Sequence, residues 1–296
     1  MDCLSDCRVG IKRVSVYFCS GDIVQVFIKF TTDETIKVAG MDIIWPLADA
    51  VFFDCDGTLS RIEGINFLAE RNGVGQTVME LTEHAMSQAS LSKELYEQRL
   101  SHVRPSRRDF DHLVQAYYDN VSEDLIPVIT LLQALGVAVY IISAGNNPAV
   151  SEFAEKLGIS DSHVFCVDVE FDHLGNFQSY DQSSPLIRSG GKAELIQQVR
   201  ASQDWSQVFL VGDGMNDAEA RGAVEVFVGY GGHGYREKVA ELASVYLSHP
   251  SMAALLPMML SSSKINELSN VNKQLYEKGF AILNNDDFSS SYREKV

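Results

Sequence analysis

The chain of 296 residues is poor in basic residues: 24 lysines and arginines stand against 40 aspartates and glutamates, for a net charge of −16. This balance disfavours binding to nucleic acid or to an anionic membrane, because both require a basic surface on the protein. A small anionic substrate remains compatible with it, since a local cation can reverse the electric field inside one cleft. We therefore expect neither a nucleic-acid partner nor a membrane partner.

Cysteines are scarce as well, and the five that are present are odd in number and scattered along the chain. Cys3 and Cys7 have no partner cysteine or histidine at zinc-finger spacing, which disfavours a metal site there. Reduced thiols in a cytoplasmic protein are the simplest explanation. No apolar run approaches the length of a membrane span, and the N-terminus lacks the basic-then-apolar order of a signal peptide.

Apolar residues make up 46% of the chain, which is ordinary for a globular protein with a full core. Short apolar runs typical of buried strands alternate with helical patterns, and this order predicts a parallel sheet with right-handed crossovers. The predicted strands are 51–53, 137–142, 164–171, 177–180, 208–211 and 224–228, with a hairpin turn at 174–176. The expected class is therefore α/β, with a doubly wound parallel sheet.

Residues 62–125 form a different unit, because their apolar residues have helical spacing without any strand-like run. We predict a small helical cap inserted after the first core strand, with the core itself at 41–61 and 126–248. Within the cap, Pro105 separates two helical patterns and Ser106 is a suitable N-cap for the second of them.

Two terminal segments, 1–40 and 249–296, lie outside the predicted core and cap. The first has the pattern of a β-hairpin around 20–22, and it is either a small appendage or the product of a start placed upstream of Met41. The second is predicted to be a C-terminal helical extension and tail, with one amphipathic helix over 265–282 that packs on the sheet or on a partner. A monomer and a homodimer are both compatible with these features.

The segment Asp54-Cys55-Asp56-Gly57-Thr58 directly follows the apolar strand 51–53. Two carboxylates this close repel each other, and burial raises the cost of keeping both charged. The arrangement is understandable if a cation binds between them and one carboxylate performs chemistry. The alternative is a polar strand end with an Asx-type turn.

Three more polar clusters follow predicted strands or open predicted helices: Ser143-Ala144-Gly145, Gly191-Lys192 and the segment 212–217 (Gly-Asp-Gly-Met-Asn-Asp). Taken singly, they could be a turn, a solvated lysine and helix caps. Taken together with the first cluster, they provide a nucleophile, a proton donor, metal ligands, a hydroxyl group and a cation. Phosphoryl transfer needs this set of groups, and an α/β sheet gathers its ligands at the carboxyl ends of its strands.

The order of these motifs resembles that of the haloacid dehalogenase (HAD) phosphatase superfamily over about residues 47–248. Further segments resemble the phosphoserine phosphatases within it: Glu63-Gly64-Ile65, Arg99 before Arg104-Pro105-Ser106, Ser189-Gly190-Gly191-Lys192, and 228–232. The resemblance implies a HAD-like fold and Mg²⁺-dependent hydrolysis of phosphoserine to serine and phosphate through an aspartyl-phosphate. The alternatives are the same chemistry on another small phosphomonoester, or an inactive HAD-fold module that only binds.

The same resemblance implies the roles of the acidic residues. Asp54 would be the nucleophile, Asp56 would act as general acid and then general base, and Thr58 would hold Asp56 in place. Asp54, the backbone carbonyl of Asp56 and Asp213 would bind Mg²⁺, an ion that prefers oxygen ligands. Asn216 and Asp217 would support the metal and Lys192.

It also implies the substrate contacts. Ser143 and Lys192 would bind the phosphoryl oxygens, with Ala144, Gly145 and Asn216 beside them. Glu63 would meet the substrate amine, and Arg99 would bind its carboxylate through two parallel hydrogen bonds.

Three segments depart from the family pattern. Ala144-Gly145-Asn146 stands where the family usually has Gly-Gly after the serine, Ser87-Gln88 follows Met86 where Gly-Gly is frequent, and Leu91-Ser92 lies near a family aromatic. All three affect contacts to the substrate and leave the phosphoryl chemistry intact. They are the reason why another small phosphomonoester stays open as the substrate.

Overall fold

A computed structural model describes residues 12–17, 23–30, 36–38, 41–43, 47–87 and 92–284. Near the N-terminus lies an antiparallel four-stranded sheet in the order β1-β2-β3-β4. Its strands are β1 (Lys12–Tyr17), β2 (Ile23–Phe30), β3 (Ile36–Val38) and β4 (Met41–Ile43). β1 and β2 pair where the sequence predicts a hairpin, and β4 extends this sheet past residue 40.

A second sheet of seven strands forms the centre of the molecule, in the order β11-β10-β9-β5-β6-β7-β8. Its strands are β5 (Ala50–Phe53), β6 (Ala138–Asn147), β7 (Val164–Phe171), β8 (Phe177–Tyr180), β9 (Val208–Gly212), β10 (Val226–Tyr230) and β11 (Val245–Leu247). Every neighbouring pair is parallel except β7 and β8, which form an antiparallel hairpin at one edge. The predicted α/β class is confirmed.

Both faces of this sheet are buried, because successive residues of a strand point to opposite sides. In β5, Val51 and Phe53 belong to one apolar core, whereas Ala50 and Phe52 belong to the other. Helices cover both cores, as in a doubly wound sheet. They are α5 (Leu125–Ala134), α6 (Ala149–Lys156), α7 (Gly191–Arg200), α8 (Met215–Glu219) and α9 (Glu237–Leu242).

Four helices are inserted between β5 and β6 and form the cap. They are α1 (Gly64–Arg71), α2 (Gly75–Ser87), α3 (Lys93–Val103) and α4 (Arg107–Asp119). α4 begins as the sequence predicts: the Ser106 hydroxyl accepts a hydrogen bond from the Asp109 backbone N–H, and Asp109 accepts one from the Ser106 N–H. This reciprocal capping box stabilises the first turn of α4.

The C-terminal segment differs from the expected single helix. It contains α10 (Leu256–Met259), α11 (Ser262–Glu267) and α12 (Asn270–Asn284). The prediction of one helix over 265–282 is wrong because Leu268 adopts an extended conformation and is buried in the core, and the Ser269 hydroxyl then accepts from the Asn272 N–H. A serine in this position favours the start of a new helix. Among the described residues, no helix has the length and apolar character needed to span a bilayer.

Residues 252–260, which precede α11, are all buried and complete the core on one face of the sheet. α12 packs closely on this segment. A Cβ atom added at Gly279 would lie 1.9 Å from the carbonyl oxygen of Ala253, so only glycine allows this approach.

We expect Gly279→Ala to lower the free energy of unfolding by about 1–3 kcal/mol, because the backbone of residue 253 cannot move aside without disturbing the core. Alanine favours a helix over glycine, so propensity alone predicts the opposite sign. Gly222→Ala is the matched control, since a Cβ atom there meets nothing within 4 Å. Chemical denaturation of both variants measures the difference. An equal stability of the two variants would contradict the packing of α12.

Candidate active site

The sheet order places three polar clusters side by side. β5 lies between β6 and β9, and all three strands run parallel. Asp54 follows the end of β5, Ser143 lies in β6, and Asp213 follows the end of β9. The strands therefore deliver these side chains to the same edge, as expected for an open α/β sheet.

Lys192 is the cation at the centre of this edge. Its Nζ atom lies 2.8 Å from Asp54 Oδ1 and 2.7 Å from Asp217 Oδ1, and its side chain is only 2% exposed. Burial lowers the pKa of the ammonium group, but Asp217 and Asp54 together outweigh burial and raise it above its usual value. Lys192 therefore remains charged and offsets part of the negative charge of the site.

Asp56 is held by two hydrogen bonds to its Oδ1 atom. The Gly64 backbone N–H donates at 2.5 Å and the Tyr117 hydroxyl donates at 2.7 Å. Burial, followed by the nearby charge of Asp54, raises the pKa of Asp56 to about 6. A carboxyl group with this pKa can hold a proton in one step of a reaction and release it in the next.

Thr58 makes a different contact from the one expected. Its hydroxyl donates to Asp213 Oδ1 at 3.1 Å and not to Asp56. The cause is Gly57, whose φ of +69° is accessible to glycine and turns the chain directly against the Asp213 carboxylate. Thr58 is fully buried and does not line the cavity described below, so it orients Asp213.

Arg236 is a second cation in the site, and sequence reasoning missed it. Its Nη2 atom lies 2.6 Å from Asp213 Oδ2 and 3.7 Å from Glu63 Oε1. Burial raises the pKa of Asp213 to about 7 and that of Glu63 well above its usual value, although Arg236 opposes both shifts. The Tyr246 hydroxyl accepts from the Arg236 backbone N–H and fixes the start of α9.

A group of carboxylates suited to a divalent cation lies beside Lys192. One oxygen from each of Asp54, Asp213 and Asp217 lies within 4.8 Å of the others. Asp217 is anchored because its Oδ2 atom accepts from the Gly214 N–H at 3.0 Å. The Oδ1 atom of Asn216 is buried and has no hydrogen-bond partner, although buried polar atoms rarely lack one. An oxygen-rich cluster with an unsatisfied acceptor fits a hard cation and its bound water.

The remaining predicted residues line one cavity of about 150 Å³ between cap and core. Glu63 and Arg99 come from the cap side, whereas Ser143, Ala144 and Gly145 come from the core, together with Lys192, Asn216 and the carboxylates. The Gly145 N–H donates to the Ser143 hydroxyl at 3.0 Å. Of the predicted site residues, Thr58 alone does not line the cavity.

Arg99 is not paired with Glu63, since the cation nearest to Glu63 is Arg236. Its Nε atom is buried and has no hydrogen-bond partner. Burial lowers the pKa of Arg99 from its usual value, but an arginine remains charged at neutral pH. A guanidinium whose buried Nε has no partner is suited to bind an anion, because leaving such a group unpaired is costly.

The sequence did not identify Tyr117 or Arg236 as site residues, and the reason differs between the two. Tyr117 has the helical spacing of a core residue, and its ring does stack on Phe153 while its hydroxyl serves Asp56. Arg236 follows the glycine-rich segment 231–234, which has no periodicity to indicate where the next side chain lies. An arginine two residues after a glycine-rich segment that follows a strand was the available signal.

Comparison with known proteins agrees with this geometry. The family model described as haloacid dehalogenase-like hydrolase matches residues 48–224, which contain every motif from Asp54 to Asp217. Phosphoserine phosphatase of Homo sapiens is 33% identical over 201 residues, covering 68% of this chain and 89% of that protein. The Drosophila melanogaster phosphoserine phosphatase is 35% identical over 199 residues, covering 67% and 74%.

The chain therefore belongs to the haloacid dehalogenase-like hydrolase family. The resemblance inferred from the motifs is confirmed. A solved structure of a substrate-bound phosphoserine phosphatase has a TM-score of 0.64 at 19% identity, covering 72% of this chain and 99% of that one. It supports the fold.

The crowded carboxylates predict how stability depends on pH and metal. Burial raises the pKa of Asp56 and Asp217 to about 6 and that of Asp213 to about 7, above the ordinary value of 3.8. Folding therefore favours the protonated forms of these three carboxyl groups. The stability that this preference contributes to the folded state is fully present below about pH 4 and is lost as pH rises through 6–7. Chelator-treated protein should melt at a lower temperature at about pH 8 than at about pH 5.

Added Mg²⁺ should restore stability more at the higher pH, because a cation competes with protons for the same oxygens. Differential scanning fluorimetry at both pH values measures this effect. Asp213→Asn is the control, since it removes one carboxyl group with a raised pKa and one candidate metal ligand. The melting temperature of this variant should depend less on both pH and Mg²⁺. An equal effect of Mg²⁺ at both pH values would contradict metal binding by this cluster.

Proposed function

We propose that this protein is a Mg²⁺-dependent phosphatase that hydrolyses phosphoserine to serine and phosphate through an aspartyl-phosphate. The observation that carries the proposal is the position of Arg99, whose buried and unpaired Nε lines the same cavity as Asp54, Ser143 and Lys192. One cavity is thus lined by phosphoryl-transfer groups from the core and by an anion receptor from the cap. The named relatives are phosphoserine phosphatases, which supports the same substrate.

Asp54 and Asp213 are the proposed carboxylate ligands of Mg²⁺, together with the backbone carbonyl of Asp56. Asp217 belongs to the same carboxylate cluster and accepts a hydrogen bond from Lys192, so it is proposed to support the metal site. When bound, Mg²⁺ supplies charge neutralisation for the phosphoryl oxygens. Thr58 is assigned the task of orienting Asp213, in keeping with its hydrogen bond.

Asp54 is the proposed nucleophile. Its Oδ1 atom accepts from the Cys55 N–H at 2.8 Å and contacts Lys192, so Oδ2 is the oxygen placed to attack phosphorus. A new bond forms between Asp54 and phosphorus while the bond from phosphorus to the serine oxygen breaks. Lys192 and Ser143 stabilise the phosphoryl oxygens, and Asn216 lies beside them.

Asp56 is the proposed proton donor and acceptor. In its acid form it gives a proton to the departing serine oxygen, which would otherwise leave as a strongly basic alkoxide. The resulting carboxylate then takes a proton from the water that attacks the aspartyl-phosphate, releasing phosphate and free Asp54. The Tyr117 hydroxyl holds Asp56 during both steps.

Glu63 and Arg99 are the proposed receptors for the amino-acid end of the substrate. An ionised Glu63 would attract the substrate ammonium, and that new positive charge would lower the raised pKa of Glu63. Arg99 would bind the carboxylate through a charge-assisted pair of hydrogen bonds. We further propose a cytoplasmic location, which suits the free Cys55 and Cys166, and leave monomer and homodimer open.

The wild-type protein should release phosphate from phosphoserine when Mg²⁺ is present and lose this activity with a chelator. Asp54→Asn should abolish turnover, because an amide cannot form the aspartyl-phosphate. The melting temperature of the Asp54→Asn variant should not fall, since the substitution removes one of several crowded negative charges. A malachite-green phosphate assay and a thermal melt measure both quantities. Turnover of the variant at the wild-type rate would remove Asp54 from the nucleophile role.

Arg99→Ala should lower kcat/KM for phosphoserine by roughly 10- to 150-fold, the value of a charge-assisted hydrogen bond. The loss on p-nitrophenyl phosphate, which has no carboxylate, should be much smaller. Arg108→Ala, which removes an exposed arginine from the cap helix α4, is the matched control for lost charge. A similar loss on both substrates would make Arg99 a structural residue and leave another phosphomonoester as the substrate.

A further inference from the structure

We propose that Tyr96 and Asn146 form a positioning pair that sets the distance between the phosphoryl end and the carboxylate end of the substrate site. The proposal rests on the proposed function and adds two residues that favour substrates carrying both a phosphoryl group and a carboxylate.

The two residues are joined by a hydrogen bond between cap and core. The Asn146 Nδ2 donates to the Tyr96 hydroxyl oxygen at 2.6 Å, and the two residues are 7% and 5% exposed. Tyr96 belongs to the cap helix α3, whereas Asn146 belongs to the core strand β6. Both residues line the cavity. The hydrogen bond therefore joins the cap to the core at the lining of the cavity.

On both α3 and β6, the residue that forms this hydrogen bond lies close to a residue proposed to bind the substrate. Tyr96 and Arg99 are three residues apart on α3, and residues at this spacing lie on the same helix face. Asn146 follows Ser143 by three residues on β6, within a local irregularity of the strand pairing. The hydrogen bond thus joins α3, which carries the proposed carboxylate receptor Arg99, to β6, which carries Ser143. The Ser143 hydroxyl is a proposed ligand of the phosphoryl oxygens.

Arg99 depends on such a restraint because its own Nε makes no hydrogen bond among the described residues. The helix must hold the guanidinium at the distance that the substrate requires. A second tie from α3 to the core, from Lys93 Nζ to the Gln182 carbonyl at 3.1 Å, is exposed to solvent and constrains the helix less. A buried hydrogen bond resists displacement more strongly, since breaking it leaves two polar groups unpaired.

The hydroxyl of Tyr96 can be removed without removing its ring. The ring packs against Tyr180, with 5.5 Å between the two ring centroids, and phenylalanine would preserve this contact. Tyr180 provides a matched control, because its hydroxyl is also buried but has no hydrogen-bond partner. Tyr96→Phe and Tyr180→Phe therefore delete the same atom from neighbouring rings, and only the first deletion breaks the tie.

The experiment compares Tyr96→Phe, Tyr180→Phe, Arg99→Ala and the Tyr96→Phe/Arg99→Ala double variant on phosphoserine and p-nitrophenyl phosphate. Tyr96→Phe should lower kcat/KM for phosphoserine by about 3- to 10-fold, the effect of one hydrogen bond, and should affect p-nitrophenyl phosphate less. In the Arg99→Ala background the same change should have little further effect, because the receptor that the pair positions is absent. Tyr180→Phe should leave the ratio of the two substrates unchanged.

An equal loss on both substrates, or an equal loss with and without Arg99, would overturn the proposal and make the hydrogen bond a structural one. If the wild-type protein does not turn over phosphoserine, the proposed function fails and the same variants are tested on 3-phosphoglycerate. That compound has the same spacing and a hydroxyl in place of the amine. A selective loss of its turnover in Tyr96→Phe supports the pair, and no turnover of either carboxylate substrate overturns it.

Discussion

Electrostatic compensation in a crowded acidic site is the constraint on which the rest of the structure depends. Asp54, Asp213 and Asp217 lie close enough to share one cation, and each is partly or fully buried. Such a cluster would disrupt the fold if its charges were not balanced. Lys192 contacts two of the carboxylates and Arg236 contacts the third. The carboxylates can share this edge of the sheet because Lys192 from α7 and Arg236, which precedes α9, converge on it.

The cap supplies groups that the core cannot. Tyr117, from the last turns of α4, donates a hydrogen bond to Asp56, the proposed proton donor, and Arg99 on α3 is the proposed anion receptor. The bond between Tyr96 and Asn146 joins α3 to the core beside this receptor. A substrate bound in this cavity would contact cap and core together.

The core also relies on a segment that lies well outside the site. Residues 252–260 fill one face of the sheet, and Gly279 allows α12 to cover them. The Ser251 hydroxyl donates to Asp124 at the start of α5, and Lys278 contacts the same carboxylate. The C-terminal segment therefore contacts the point where the chain returns from the cap to the core.

From the sequence alone, the alternation of strand and helix patterns predicted the α/β class, and the motifs at strand ends predicted which polar residues would lie near one another, because parallel strands end at the same edge of a sheet. Only the tertiary structure assigned Thr58 to Asp213, added Arg236 to the site and divided the predicted C-terminal helix at Leu268. These features depend on contacts between residues far apart in the chain. Local periodicity and spacing carry no information about such contacts, since they arise only when packing brings separate elements together.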